Sequence, residues 1–160
     1  MNTLRTLSLA GLLGLTLTLG VAPRAASADE RCHKVSARIA DELVTANCSS
    51  PVGLCTAGTI QGDGLLHGTV LNVTNAIGPS ATSNVSALDT TQTITTRHGT
   101  LVLHGSGLLD PVNGTVLFVE QTPTGTGIFA GVTGRLYINA VLTFPTSAEG
   151  EIRGELCLAR

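Results

Sequence analysis

The chain of 160 residues has no tryptophan, one tyrosine, three phenylalanines and one methionine, and only 12% of it is charged. Basic residues and histidines are few and scattered. That leaves no basic footprint for nucleic acid and no charged patch for a membrane surface. No nucleic-acid partner is therefore expected. Long charged helical stretches are also missing. After the amino-terminal segment no second apolar run reaches spanning length, so we expect no integral membrane span. Several catalytic and cofactor signatures are absent too. No G-x-S-x-G nucleophile elbow occurs. No Walker lysine follows the glycine-rich stretch, and the cysteines lack the paired C-x-x-C spacing of structural zinc. The expectation is no metal and no cofactor.

What is present begins with a leader. Arg5 supplies a positive charge, "LSLAGLLGLTLTLGV" is apolar and broken by Gly and Thr, and "APRAASADE" sets Ala26 and Ala28 around Ser27. This is a cleavable secretory signal over residues 1–28, with cleavage expected after Ala28. It predicts a secreted, extracellular or periplasmic protein. The remaining 132 residues, 29–160, suffice for one domain with its own core. Loss of Arg5 and Arg24 leaves seven basic against eleven acidic side chains, a net charge of −4.

All four cysteines fall in that mature part, and an even count in an exported chain implies two disulfides. Cys48 and Cys55 flank "SSPVGL", where Pro51 and Gly53 turn the chain. Pairing them leaves Cys32 and Cys157 to tie the two ends together, worth roughly 4 kcal/mol for so long a loop in the chain-entropy model.

The mature chain reads in period two, the strand signature. In "GTLVLHG", Leu101 and Leu103 share a face. In "TVLFVEQT", Val116 and Phe118 oppose Leu117 and Val119. "GRLYINAVLTF" turns Leu136, Ile138, Ala140 and Leu142 inward, and "EIRGELCLA" aligns Ile152, Leu156 and Leu158. "VSARIADELV" has Val35, Ile39 and Leu43 at helical spacing; in this company it reads as a strand with a bulge. "NAIGPSATSNVSAL" reads as a loop and the "GSG" at Gly105–Gly107 as a turn. "GDGLLHGTVL" echoes "GSGLLDPVNGTVL", each a turn feeding a new strand. The fold class is all-β and antiparallel, either a barrel or a sandwich.

The stretch "GTGIFAGVTGRL", residues 125–136, carries four glycines. A phosphate-binding loop needs a helix after it, and here a strand pattern follows. It reads instead as a bend between strands, with Phe129 as an apolar plug. The same residues resemble the "G-G-x-G-x-F-x-G-A-x-G" signature of the allene oxide cyclase and dirigent-like barrels. "FP" at Phe144–Pro145 and Ser50–Pro51 are similar to the cyclase pattern as well. The resemblance covers roughly the last third of the chain, with a weaker touch at residues 42–55. It implies an eight-stranded, calycin-like closed barrel with a cavity, often a homotrimer. It also makes Ser50, Pro51 and Phe129 candidate ligand-binding residues. The pocket glutamate of the plant cyclases aligns without gaps on Glu42, a catalytic candidate, while their neighbouring asparagine falls on Val44.

Of the remaining chemistry-bearing residues, His67, His98 and His104 match no ligand spacing and read as solvated. Sequons stand at Asn47, Asn72, Asn84 and Asn113. The leading expectation is a non-catalytic barrel that binds a small apolar ligand or acts as an interaction module. The alternatives are a cyclase-like isomerase acting on an oxylipin-type epoxide, and a purely structural surface protein.

Overall fold

The computed structural model describes residues 31–62, 64–143 and 146–159. The expected signal peptide, its cleavage site and Phe144–Pro145 lie outside the described residues. Eight strands follow one another: β1 (Arg31–Val44), β2 (Cys55–Gly62), β3 (His67–Pro79), β4 (Ser86–Thr96), β5 (Gly99–Asp110), β6 (Thr115–Gly125), β7 (Thr133–Thr143) and β8 (Ser147–Leu158). Each is antiparallel to the next, and β1 pairs with β8, so the sheet closes into an up-and-down barrel. Of the two architectures left open by the periodicity, the barrel is the one formed. Closure gives every strand a hydrogen-bonded neighbour on both sides.

Alternation explains the strands and fills the interior. Val35, Ala37 and Ile39 of β1, Leu101 and Leu103 of β5, Val116 and Phe118 of β6, Leu136 and Ile138 of β7, and Ile152 and Leu156 of β8 all point inward and are buried. The bulge expected in β1 is absent, for its ladders to β2 and β8 run without a register shift. A spacing of four residues is also an even spacing, so Val35 and Ile39 meet the strand period as well as the helical one. Bulges occur instead between Thr74 and Ala76 and between Val102 and His104. They bend and twist the strands, as a small barrel requires.

Three other expectations are corrected. The loop foreseen over residues 75–88 shrinks to residues 80–85. The β3–β4 hairpin continues through Ile77 with Leu88, Gly78 with Ala87 and Pro79 with Ser86. Pro79 is accommodated because it is the last pair of that ladder. The "GSG" foreseen as a turn lies within β5, where Gly105 pairs with Thr90 and with Glu120. The second copy of the echo therefore starts inside a strand, and only its "NGTVL" half feeds a new one.

The connections divide the molecule into two ends. Residues 45–54, 80–85 and 111–114 and Thr146 ring one end, the mouth. Residues 64–66, 97–98 and 126–132 and both ends of the described chain lie at the other. That second end is sealed. Leu66, Phe129 and Val132, all from connections, are buried there over Ile60, Ile94, Leu101 and Leu156. Phe129 ends a single 3-10 turn, Gly127–Phe129, and has no exposed surface. Its segment is bonded to the start of β5: Thr126 N donates to Thr100 O at 2.8 Å and Ile128 N to His98 O at 3.1 Å. Gly127 has φ +62°, and a Cβ there would overlap the His98 carbonyl, so the close approach requires glycine. The glycine-rich stretch is thus a bend that carries a plug.

Two disulfides clamp the ends. Cys32–Cys157 joins facing residues of β1 and β8 across the seam where the barrel closes, and spans 125 residues of sequence. Cys48–Cys55 closes the loop before β2 at the mouth. Both are the pairs expected from the sequence.

Candidate functional site

The inward row of each strand continues toward the mouth, but the residues there do not fill the barrel. A cavity of about 140 Å³ remains, open at that end. Ile39, Leu88, Phe118, Ile138 and Leu142 give it apolar walls, and Leu54 comes from the rim. Polar side chains interrupt those walls. Asp41 of β1, Thr56 of β2, Thr74 of β3, Gln92 of β4 and Glu120 of β6 also line it. β4 and β6 both run away from the mouth, so Gln92 and Glu120 are the deepest lining residues of their strands.

These polar groups are enclosed. Asp41 is 6% exposed, Gln92 4% and Glu120 1%. Asp41 Oδ2 accepts a hydrogen bond from the Thr56 hydroxyl at 3.0 Å. Among the described residues, Asp41 Oδ1, Gln92 Oε1 and Glu120 Oε2 have no hydrogen-bond partner, and neither does the buried Thr90 hydroxyl. Each such atom costs roughly 1–3 kcal/mol relative to a satisfied one. Burial pushes the Glu120 carboxyl up to about 7, with the charge of Asp89 adding to the shift. Burial likewise pushes Asp41 up to about 6, against the opposing hydrogen bond from Thr56. Low dielectric disfavours the ionised form of both acids.

Gly105 makes the deepest of these placements fit. It faces Glu120 across the β5–β6 ladder, and a Cβ on it would overlap the Glu120 carboxyl. The glycine is a recess for an inward-pointing acid.

The rim is held by Ser50. Its hydroxyl donates to the Thr74 carbonyl and accepts from Leu54 N at 3.1 Å and Val52 N at 3.2 Å. Thr74 N in turn donates to Leu54 O at 3.0 Å. Ser50 therefore fixes the loop that carries Leu54 to the cavity, while Pro51 is exposed in the turn beside it. Phe129 sits at the sealed end and is not part of the lining. The three family-motif residues are thus not brought together around the cavity.

Glu42 is on the outer face of β1, exposed, and does not line the cavity. The inward carboxyl is its neighbour Asp41, because a shift of one residue reverses the face in a strand. Among the described residues, His67, His98 and His104 form no cluster within ligand distance. Cys32, Glu155 and Cys157 do come close together, with both sulfurs in a disulfide.

Asp41, Gln92 and Glu120 were not foreseen as site residues, yet the sequence carried a signal for each. Glu120 follows Val116 and Phe118 on their face, Asp41 follows Val35, Ala37 and Ile39, and Gln92 precedes Ile94. A polar residue in phase with an inward apolar row is the pattern to seek.

No family model, curated protein or solved structure matches the chain.

Proposed function

We propose that the chain is exported by its leader, residues 1–28, and that the mature barrel, residues 29–160, holds a small, largely apolar molecule at its mouth without converting it. The observation that carries this reading is the asymmetry of the interior. One end is sealed by aliphatic and aromatic side chains; the other keeps an apolar-walled cavity of about 140 Å³. A space of roughly 150 Å³ accepts a benzene-sized guest. Sites that enclose drug-sized ligands run to roughly 300–1,000 Å³. A compact ligand, or the end of a longer one, suits this cavity. The two disulfides fit the oxidising compartment that export would reach.

The likeness to the cyclase and dirigent-like barrels supports a ligand-holding role, and the eight-stranded closed barrel agrees with it. The isomerase reading has less support. Glu42 faces solvent, and a long-chain epoxide exceeds the enclosed volume.

Methyl NMR of the exported protein titrated with toluene tests the reading. Shifts confined to the lining methyls, among them Ile39, Leu54, Leu88, Ile138 and Leu142, are expected. Their absence, with Leu142→Trp giving the same spectrum elsewhere and no change in retained adducts by native mass spectrometry, returns the protein to a purely structural role. The same mass spectrum reports whether the chain starts at Asp29 and how many subunits assemble, where the likeness implies three.

A further inference from the structure

The cavity is apolar in area but one-sided in its hydrogen bonding. With the carboxyls ionised, its unpartnered lining atoms among the described residues, Asp41 Oδ1, Gln92 Oε1 and Glu120 Oε2, are acceptors. Two belong to carboxyl groups. Among the described residues, no lysine, arginine or histidine lines the cavity. Buried acceptors are normally matched by donors, and a buried carboxyl by a cation or by several N–H groups. Among the described residues, the Thr56 hydroxyl donates to Asp41 Oδ2.

We infer that the ligand of this cavity is a compact apolar amine, whose protonated nitrogen is taken by Glu120 and Gln92, set on β6 and β4 to either side of β5, while its hydrocarbon part lies against Phe118 and Ile138. This rests on the ligand-binding reading above and specifies its chemical class. An ammonium carries three N–H donors and no acceptor, the complement of a lining whose unmet atoms only accept. It also carries the charge that stabilises ionised carboxyls in a low-dielectric site. An anionic or acceptor-rich ligand meets the reverse: its oxygens would face Asp41 and Glu120 with no donor offered by any basic side chain. Position agrees with the assignment. Glu120 and Gln92 are deep on their strands, so the polar end enters first and the apolar part fills the space toward Leu142 and the mouth. The recess at Gly105 is what allows an acid at that depth.

The test is calorimetric titration of the full exported protein with benzylamine, benzyl alcohol and benzoate, matched in size to the cavity. Benzylamine is expected to bind about tenfold or more tighter than the alcohol, as one charge-assisted hydrogen bond predicts, with benzoate weakest. Glu120→Gln should weaken benzylamine about tenfold and benzyl alcohol by clearly less, while Asp41→Asn should change benzylamine by less than Glu120→Gln does. If the alcohol binds as well as the amine, or benzoate binds best, the amine assignment is overturned and the ligand-binding reading stands. If none of the three binds and toluene is silent by NMR, the acceptors are left to water and both fall.

Discussion

The sealed and open ends of this barrel are built from the same eight strands with the same alternation, and they differ only in what occupies the inward positions. At the sealed end those positions hold Ile60, Ile94, Leu101, Leu136 and Leu156, capped by Leu66, Phe129 and Val132 from the connections. Toward the mouth Asp41, Thr74, Gln92 and Glu120 interrupt the apolar row. An eight-stranded barrel is narrow enough for side chains to fill it. The sealed end shows that outcome. The open end departs from it, and there buried acceptors go without partners at a cost in stability. One end carries the fold, and the other is shaped at the fold's expense.

The sharpest way to break this contrast is to weaken the sealed end. Replacing Cys32 and Cys157 together by serine removes the covalent tie across the β1–β8 seam and leaves its hydrogen-bonded ladder. A loss of roughly 4 kcal/mol is expected, against about 2 kcal/mol for Cys48→Ser with Cys55→Ser, whose loop is short. Urea unfolding of both variants compares them, and equal losses would place no special weight on the seam. Phe129→Ala should cost about 3–4 kcal/mol by leaving a void under the 126–132 connection. Phe118→Ala, which already borders open space, should cost less. Reversed melting temperatures would mean that the two ends are packed alike.

Titration separates the ends further. Glu120 and Asp41 both have raised folded-state values, about 7 and about 6. The neutral acid is the better-tolerated form. Their contribution is complete at acid pH, below the unfolded values, and is lost as pH rises through the folded ones. The groups bearing on this window are Asp89, whose charge adds to the Glu120 shift, and Thr56, which opposes that of Asp41. Free protein should therefore lose stability between about pH 5 and pH 8, on the order of 2–3 kcal/mol from Glu120. Calorimetric melting of Glu120→Gln should show a flatter profile over the upper part of that range. An unchanged profile would mean that Glu120 is not the group responsible.

Smaller effects sharpen the picture at single residues. Gly105→Ala should displace the Glu120 carboxyl into the cavity and cost about 1 kcal/mol, with loss of ligand uptake exceeding the loss of stability. Glu42→Gln should stay within about 0.5 kcal/mol of the parent and leave ligand binding unchanged, since Glu42 is on the outer face. A large effect of Glu42→Gln beside a silent Asp41→Asn would invert the assignment of the inward acid.

Much of the architecture was legible in the sequence because strand alternation is local. Leu101 with Leu103, Leu136 with Ile138, and Ile152 with Leu156 declare an inward face within a few residues, and the turn at Pro51 and Gly53 brings Cys48 to Cys55. Phe129 as a plug was legible for the same reason: one large apolar residue in a glycine-rich bend has few other places to go. The site was harder to read. Asp41 and Glu42 are adjacent, and only the phase of β1 separates a buried acid from an exposed one. The helical spacing of Val35, Ile39 and Leu43 concealed that phase. Gly105 looked like part of a turn because nothing nearby shows the carboxyl it faces from the next strand.

The sequence alone determined that short β-strands would alternate around a core, that glycines would bend them, and that four cysteines would pair in two bridges. These follow from side-chain period and turn chemistry, which act over a few residues. Only the tertiary structure decided that β8 closes on β1, that one end is filled and the other is not, and that Asp41, Gln92 and Glu120, far apart along the chain, line the same cavity. Those outcomes depend on register and on closure of the whole sheet, and no short stretch of sequence contains either.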